Sequence, residues 1–426
     1  MKRAEAPNDP APFASLDHLW LPYTQMQTAP VPLPVVRTEG CKIYLADGRV
    51  LIDGIASWWT ACHGYNHRHI GDAVARQLDS LPHVMMAGLA HEPAVRLAQR
   101  LAALLPGDLD HVFFSDSGSV AVEIALKMAI QFFINRGETG RDRFVAFTDG
   151  YHGDTFAAMA VSDGRTGMHG RFGTAARHDY LCELPRDDAG ESALDRFIAD
   201  HHRELAGIII EPLVQGAGGM VFHAADVLRR LRRLADRHGL LLIFDEIFTG
   251  FGRTGRLFAM EEAGTVPDIV TLSKALTGGT LPLAATVARR QVYEGFLSGD
   301  PQDALMHGPT FMGNALACAA ANASLDLFER EPRLEQVAAI GRQMEAELAP
   351  CRGQRGVRDV RVKGAIGVVE LESAEMAAAL RDRFVADGAW IRPFGRIVYL
   401  TPAFTIAPEE LALLTRAIRH AIADAR

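Results

Sequence analysis

Two stretches decide the fold of this 426-residue chain: LLLIFDEIFTGFGRTG at residues 240–255 and PDIVTLSKALTGG at residues 267–279. Each contains a short apolar run of the kind that forms a buried strand, and a residue capable of chemistry follows each run. Asp245 ends the first run and Lys274 follows the second, 29 residues later (274 − 245). That interval is long enough to return to a neighbouring strand. The two side chains are therefore expected at the carboxyl ends of adjacent strands, where open parallel sheets bind their ligands.

The segments before these stretches alternate between strand and helix patterns. Apolar runs predict strands, and helically spaced apolar positions predict helices, with Gly239 ending the second helix. The predicted strands are 112–115, 143–147, 207–210, 240–244 and 268–272, and the predicted helices are 119–135 and 226–238. Such alternation implies right-handed crossovers and a mainly parallel sheet.

The predicted fold class is α/β, with a mainly parallel sheet in a large domain and a smaller α+β domain. We expect the large domain to span residues 71–325 and the small domain to include residues 326–426. Residues 1–70 are predicted to supply an N-terminal arm and a further part of the small domain. In that part, the pattern at 41–53 indicates a hairpin that turns at Asp47-Gly48.

Composition excludes several classes of protein. The net charge is −8 and no basic tract is present, so nucleic acid is not an expected partner. No uncharged apolar run approaches the roughly 18–20 residues that a membrane span needs, and the N-terminus lacks the apolar segment of a signal peptide. Five widely spaced cysteines without a CxxC motif suit a reducing cytoplasm rather than a disulfide framework or a zinc site.

Lys274 and Asp245 suit the chemistry of pyridoxal 5′-phosphate (PLP). This cofactor needs an amine with which to form a Schiff base, and an anion that keeps its pyridine nitrogen protonated. A protonated ring accepts the electrons left behind when a substrate carbon loses its proton. On these two residues alone, an ion pair at the edge of the sheet explains the pattern equally well.

Two further motifs favour a phosphate-bearing aromatic cofactor. In DSGSVAVE at 116–123, Gly118 and Ser119 lie at the start of a helix that follows a strand, where free amides and the helix dipole attract anions. Helix capping explains the same residues and is compatible with phosphate binding. In GYHG at 150–153, Tyr151 lies in a tight turn from which its ring can stack on the cofactor. A half-buried surface tyrosine is the alternative.

Two other patterns are weaker. Residues 250–255 match GxGxxG, but the segment behind them is too short and broken for the helix of a dinucleotide-binding fold. His63, His67 and His69 have no carboxylate or cysteine at a matched spacing. They are therefore predicted to form hydrogen bonds rather than to bind metal.

Taken together, the two opening stretches resemble the signature of the class III PLP-dependent aminotransferases of fold type I, and the resemblance extends from about Leu16 to the C-terminus. Further motifs resemble one branch of that class, which makes 7,8-diaminononanoate for biotin biosynthesis. They are LPYTQM at 21–26, SWWTACHGYNH at 57–67, GYHGDT at 150–155, HGPTFMGNALACAAANASL at 307–325 and RPFGRIVYLTP at 392–402.

The resemblance implies a ping-pong reaction in which the amino group of S-adenosylmethionine passes to PLP and then to 8-amino-7-oxononanoate. It also implies a cytoplasmic homodimer with shared active sites. Other activities remain open: an acetylornithine- or diamine-type ω-aminotransferase, the same reaction with lysine as amino donor, or a PLP-dependent aminomutase. A PLP-binding regulator is the alternative that is not an enzyme.

The resemblance also implies a role for each matched residue. Lys274 holds PLP and moves the proton, Asp245 binds the pyridine nitrogen, and Tyr151 covers the cofactor and contacts substrate. The phosphate is held by Gly118 and Ser119 of one subunit and by Pro309 and Thr310 of the other. The implied substrate-binding residues are Tyr23, Trp58, Tyr151, Arg253, Gly308, Arg392 and Tyr399, with Arg392 on the acceptor's carboxylate.

Overall fold

The computed structural model describes residues 18–165, 168–175 and 180–424. Its strands, in chain order, are β1 (Val35–Glu39), β2 (Lys42–Leu45), β3 (Val50–Asp53), β4 (Leu109–Ser115), β5 (Arg143–Phe147), β6 (Tyr180–Cys182), β7 (Leu205–Ile210), β8 (Val214–Gln215), β9 (Val221–Phe222), β10 (Leu241–Asp245), β11 (Ile269–Leu272), β12 (Ala284–Arg289), β13 (Val357–Lys363), β14 (Ile366–Leu371), β15 (Ala389–Trp390) and β16 (Ile397–Leu400).

The helices of the described residues surround and connect these strands. They are α1 (Ala56–Trp59), α2 (Arg68–Ser80), α3 (Glu92–Leu104), α4 (Gly118–Asn135), α5 (Phe156–Ala160), α6 (Asp188–His201), α7 (Ala225–His238), α8 (Met260–Ala263), α9 (Arg290–Glu294), α10 (Ala315–Arg330), α11 (Arg333–Leu348), α12 (Ala374–Ala379), α13 (Arg381–Ala386) and α14 (Pro408–Asp424). The first, α1, is a single turn with an unusual backbone conformation.

A seven-stranded sheet forms the centre of the molecule, in the spatial order β4-β12-β11-β10-β7-β5-β6. Its strands pair in parallel except β12, which lies antiparallel between β11 and β4. The prediction of an α/β fold with a mainly parallel sheet is thus confirmed. The sequence patterns gave no sign of β12. Only residues 273–283 separate it from β11, less than the crossover of about a dozen residues that a parallel return requires.

The predicted helix at 119–135 is α4, which begins where β4 ends and is capped by the Ser117 side chain. By length and apolar composition, α4 would also be able to cross a membrane. However, half of its residues are buried, and it packs against β11 and β12 of the central sheet. These are the properties of a core helix in an α/β fold.

Besides the short β8–β9 pair, two smaller sheets lie outside the central one. The first, in the order β1-β2-β3-β15, contains the predicted hairpin and joins the N-terminal segment to a strand near the C-terminus. The second contains β13, β14 and β16. The domain boundaries at residues 70 and 325 remain predictions. The pairing of β3 with β15 brings residues near the two ends of the chain into the same small sheet.

The end of α7 provides a test of backbone conformation. Gly239 caps this helix with φ of 62°, and a side chain there would meet no other atom within 4 Å. We expect Gly239→Ala to lower the free energy of unfolding by about 1 kcal/mol, because left-handed conformations disfavour a Cβ atom. Gly71→Ala is the matched control: it lies inside α2 with equal space and should stabilise the chain. Urea unfolding of both variants measures the difference, and equal effects would contradict this account.

Candidate active site

Asp245 and Lys274 meet at one edge of the central sheet, as their spacing predicts. The parallel register of β10 and β11 places Asp245 opposite Thr271, and Lys274 follows three residues later. Lys274 starts a 3-10 turn with φ of +46°. A left-handed backbone costs a non-glycine residue about 1–2 kcal/mol. The surrounding structure therefore has to hold Lys274 in this conformation.

The Lys274 amine lies against aromatic rings. Its Nζ atom is 4.4 Å from the centre of the Trp59 ring and 5.9 Å from that of Phe248. Burial lowers the pKa of Lys274 from 10.5 to about 8, and the negative charges of Asp245 and Glu211 oppose this shift. Near physiological pH, a larger fraction of this amine is therefore neutral than in an ordinary lysine. The neutral form is the one that acts as nucleophile or base.

Asp245 is held from both sides. One carboxylate oxygen lies 2.7 Å from His152 Nδ1, and the other accepts hydrogen bonds from Ile247 N at 3.1 Å and Thr271 Oγ1 at 3.3 Å. Both Asp245 and His152 are buried. His152 was not among the predicted site residues. Its signal was present in the motif GYHG, but only the fold brings it to a carboxylate 93 positions away.

A second buried acid, Glu211, lies just after β7 and was also missed. Its carboxylate accepts hydrogen bonds from Tyr151 N at 3.0 Å and Gly216 N at 2.8 Å. Burial raises the pKa of Glu211 from 4.5 to about 7, which the positive charge of His152 partly opposes. The sequence did contain a signal for Glu211, because an acidic residue directly follows the apolar run GIII of a predicted strand. Its contact with the backbone of the Tyr151 turn depends on the tertiary structure.

Tyr151 and Tyr23 converge on Asp154, another residue that the sequence analysis missed. The Tyr151 hydroxyl donates to Asp154 at 3.0 Å, and the Tyr23 hydroxyl donates to the same carboxylate. His169 Nε2 lies 2.9 Å from Asp154, and the imidazole stacks on the Tyr151 ring at 5.6 Å. Burial raises the pKa of Tyr151, and burial together with the Asp154 hydrogen bond raises that of Tyr23 to about 12. Both phenols therefore stay protonated at neutral pH.

Gly118 and Ser119 form the first turn of α4, next to the Tyr151 loop. The first amides of a helix have no partner within it, so they are free to bind an anion. The Ser119 hydroxyl accepts a hydrogen bond from Asp154 N at 3.0 Å, which leaves its own proton available for donation. A Cβ atom at Gly153 would lie only 2.3 Å from that hydroxyl. Because Gly153 has no side chain, the loop can lie close against the helix. This arrangement is suited to binding a phosphate group.

The segment of Gly308, Pro309 and Thr310 lies in an exposed loop before α10. Gly308 and Thr310 are exposed, and Pro309 O accepts from Met312 N at 3.0 Å. In the described part of the chain, no hydrogen bond joins this loop to Gly118 or Ser119. The phosphate-binding and substrate-binding roles of the loop remain predictions.

Trp58, Arg392 and Tyr23 form a group near the catalytic pair. The Arg392 guanidinium lies 4.5 Å from the centre of the Trp58 ring, and the Tyr23 ring is 6.3 Å from that of Trp58. Arg392 forms no ion pair with any residue that the structure describes, although it is half-buried. A half-buried guanidinium without a carboxylate partner is suited to binding an anionic ligand. Tyr399 is buried in β16, 6.3 Å from the Trp59 ring.

Arg253 occupies a different environment from the other predicted substrate residues. Its side chain is buried and donates to the carbonyls of Ala365 at 3.2 Å and Pro402 at 2.8 Å. Burial lowers the pKa of Arg253 to about 10. These contacts tie the loop after β10 to the C-terminal part of the chain. Contact of Arg253 with substrate remains a prediction.

Two of the three clustered histidines, His63 and His69, form the hydrogen bonds that the sequence analysis preferred. The third, His67, lies 3.9 Å from the Glu331 carboxylate. His63 Nδ1 accepts from Arg333 Nε at 2.9 Å, and His69 lies 2.8 Å from Asp326. Burial lowers the pKa of His63 to about 3, which keeps it neutral beside the arginine. The GxGxxG segment forms the buried loop that carries Arg253.

Comparison with known proteins identifies the family. A model for "Aminotransferase class-III" matches residues 23–422. The chain belongs to the class III aminotransferases. It is 43% identical over 410 residues to an adenosylmethionine-8-amino-7-oxononanoate aminotransferase of Mycobacterium leprae, covering 94% of each chain. Among solved structures, the enzyme of that name from Methanocaldococcus jannaschii superimposes with a TM-score of 0.90, at 31% identity and with 96% and 97% of the two chains covered.

A second solved structure bears on the cofactor. A PLP-bound amine transaminase from an uncultivated Pseudomonas species matches this aminotransferase with a TM-score of 0.88 and 32% identity, covering 96% of this chain and 99% of the other. The predictions of a PLP-dependent aminotransferase and of fold type I are confirmed by these relatives. The roles of the individual site residues remain proposals.

The lowered pKa of Lys274 predicts a pH dependence for cofactor capture. The rate at which the apoprotein attaches PLP covalently should rise with pH through a midpoint near 8, where half of the amine is neutral, and level off above it. The midpoint for an ordinary lysine would lie at a pH of about 10.4. Mass spectrometry after borohydride reduction measures the attachment, with a lysine-containing peptide as control. A profile that matches the peptide would contradict this prediction.

The geometry of Asp245 predicts a specific loss in Asp245→Asn. This variant should still bind PLP but lose at least about a hundredfold in single-turnover rate, because an amide cannot stabilise a protonated ring nitrogen. Thr271→Val is a matched control, since it removes one hydrogen bond to Asp245 and keeps the charge and shape. We expect it to lose less than about tenfold. Comparable losses in both variants would show that the charge is not the deciding feature.

Proposed function

We propose that this aminotransferase transfers the amino group of S-adenosylmethionine, by way of PLP, to the 7-oxo group of 8-amino-7-oxononanoate. The product is 7,8-diaminononanoate, and the pathway is biotin biosynthesis. The observation that supports this acceptor is the Arg392 guanidinium beside Trp58, which forms no ion pair with any residue that the structure describes. The names of the Mycobacterium leprae and Methanocaldococcus jannaschii relatives support the same reaction.

The residues at the sheet edge fit PLP. When bound, PLP supplies an aldehyde for amines and a ring that accepts electrons from the substrate carbon. Lys274 offers the amine, Asp245 offers a buried anion for the ring nitrogen, and the amides of Gly118 and Ser119 offer a phosphate site. We place the Tyr151 ring over the cofactor, since its backbone is fixed by Glu211 and its hydroxyl by Asp154.

The chain's own residues account for the proton transfers and the orientation of the reactants. In each half-reaction Lys274 Nζ would move a proton between the substrate carbon and the cofactor, which its lowered pKa permits. His152 orients the Asp245 carboxylate, which would hold the ring nitrogen of the cofactor. Trp59 and Phe248 cover the amine and exclude water from it.

Arg392 suits the acceptor because of the acceptor's shape. The oxononanoate carries its carboxylate far from the reacting ketone, and a guanidinium can bind a carboxylate with two parallel hydrogen bonds. The Trp58 ring holds the guanidinium through a cation–π contact. Pro393 also restricts Arg392 to an extended backbone, which limits the directions of its side chain.

We further propose a cytoplasmic homodimer, in which Pro309 and Thr310 complete the phosphate site of the partner subunit. Two large apolar side chains on this loop support an interface. Met306 is 59% exposed and Phe311 is 55% exposed in the single chain. Exposed apolar residues grouped in this way are typical of surfaces that another protein covers.

Arg392→Ala should weaken the use of the oxononanoate. Loss of a charge-assisted hydrogen bond costs about 1.5–3 kcal/mol, which corresponds to a fall of about ten- to a hundredfold in kcat/KM. The rate of the half-reaction with S-adenosylmethionine should fall less if other residues bind the carboxylate of this donor. The absorbance change of the bound cofactor reports each half-reaction separately.

Arg392→Lys serves as the matched control, because it keeps the charge but loses the planar fork. Its activity should fall between those of the wild type and Arg392→Ala. Assays of diaminononanoate with S-adenosylmethionine or lysine as donor identify the amino donor. Unchanged kinetics of Arg392→Ala with the oxononanoate would contradict the proposed acceptor site.

Mixed dimers test the sharing of the loop. Lys274→Ala and the Pro309→Ala/Thr310→Ala double variant are each expected to be inactive. In a mixed dimer, however, one site would combine an intact lysine with an intact loop. Random exchange should restore activity in about a quarter of the sites. If mass spectrometry shows mixed dimers and the assay shows no activity, the loop serves its own subunit.

A further inference from the structure

One short segment of the site has a backbone conformation that its residues disfavour. Ala56, Ser57, Trp58 and Trp59 have consecutive φ values of 45°, 48°, 54° and 75°. Trp59 N donates to Ile55 O and Thr60 N donates to Ala56 O, both at 2.9 Å, so the segment forms one turn of left-handed helix. L-residues with side chains disfavour this conformation. Contacts outside the turn must therefore hold it.

Asp53 supplies those contacts. Its buried carboxylate accepts hydrogen bonds from Ile55 N at 2.8 Å and Ser57 N at 2.9 Å, at the start of the turn. The Tyr65 hydroxyl donates to the same carboxylate at 2.5 Å and lies 2.6 Å from the Ser57 hydroxyl. Asp53 and Tyr65 thus bind the turn through both its backbone and a side chain.

The turn directs two adjacent rings to two different parts of the site. Trp58 contacts the Arg392 guanidinium at 4.5 Å, and Trp59 lies 4.4 Å from Lys274 Nζ. A right-handed turn would change the directions of both rings. The left-handed conformation is therefore what allows consecutive residues to serve the arginine and the lysine together.

The sheet beneath Asp53 links this turn to Arg392. Asp53 is the last residue of β3 and pairs with Trp390 of β15, two residues before Arg392. Gly54 N also donates to Trp390 O at 3.0 Å. The turn follows β3 and the arginine follows β15, so the pairing of these two strands positions both.

We propose that Asp53, assisted by Tyr65, is a positioning residue that holds the left-handed turn and thereby places Trp58 against Arg392 and Trp59 against Lys274. The part concerning Arg392 rests on the proposed function. The part concerning Lys274 does not depend on which acceptor the enzyme uses.

Asp53→Asn tests the proposal. The carboxylate accepts hydrogen bonds from two backbone amides, and in the variant the NH₂ group, itself a donor, would face one of these amides and lose that hydrogen bond. We expect a changed near-ultraviolet circular dichroism and stronger acrylamide quenching of tryptophan fluorescence in the apoprotein. Covalent PLP capture by Lys274 should slow, and kcat/KM for the oxononanoate should fall, each by about tenfold. Tyr65→Phe, which keeps the carboxylate, should show the same changes to a smaller extent.

Ala56→Gly distinguishes positioning from general stability. Glycine adopts positive φ readily, so adding Ala56→Gly to Asp53→Asn should restore part of the tryptophan signal and of the capture rate. If Asp53 only stabilised the fold, the second substitution would add to the damage. Unchanged tryptophan signals and capture rates in Asp53→Asn would overturn the proposal. If Asp53→Asn fails to fold, unchanged signals in Tyr65→Phe would do the same.

The two proposals can also fail separately. If Asp53→Asn alters the tryptophan signals and slows PLP capture while the wild type does not aminate the oxononanoate, the proposed acceptor is wrong and the positioning role stands. If the wild type aminates the oxononanoate and Asp53→Asn captures PLP normally with unchanged tryptophan signals, the proposed acceptor stands and the positioning role of Asp53 is wrong.

Discussion

The parallel register of β10 against β11 is the constraint on which the site depends. It sets Asp245 opposite Thr271, so the chain reaches Lys274 at the same edge of the sheet. Other groups reach this edge from other strands of the sheet: Glu211 follows β7, and His152 lies in the loop after β5. Gly118 arrives after β4 on the far side of β12. A shift in one register would separate the amine from the acid that serves the same cofactor.

Burial and charge oppose each other around Lys274. Three carboxylates, those of Asp245, Glu211 and Asp154, favour its charged form, yet burial prevails and lowers its pKa to about 8. The acids themselves are stabilised by hydrogen bonds, from His152 to Asp245 and from backbone amides to Glu211. Buried charges without such partners would be costly. The arrangement keeps anions beside an amine that can still lose its proton.

Strained backbone occurs on both sides of the amine. Lys274 and the turn of Ala56–Trp59 all have positive φ, although none is glycine. Such conformations persist where the surrounding structure determines them more strongly than local preference does. For Lys274 the adjoining structure is the central sheet, and for the turn it is Asp53 on the small N-terminal sheet. The site thus depends on how these two sheets are placed relative to each other.

The sequence by itself determined the elements that depend on local patterns. Apolar runs located β10 and β11, helical spacing and Gly239 located α7, and a lysine and an aspartate after two strands indicated the catalytic pair. Only the tertiary structure decided the direction of β12, the pairing of His152 with Asp245, and the contact of Arg253 with backbone carbonyls. It also decided the positions of Glu211, Asp154 and Asp53. Helices and strands follow from interactions between near neighbours, whereas these contacts join residues far apart in sequence and form only when all strands pack together.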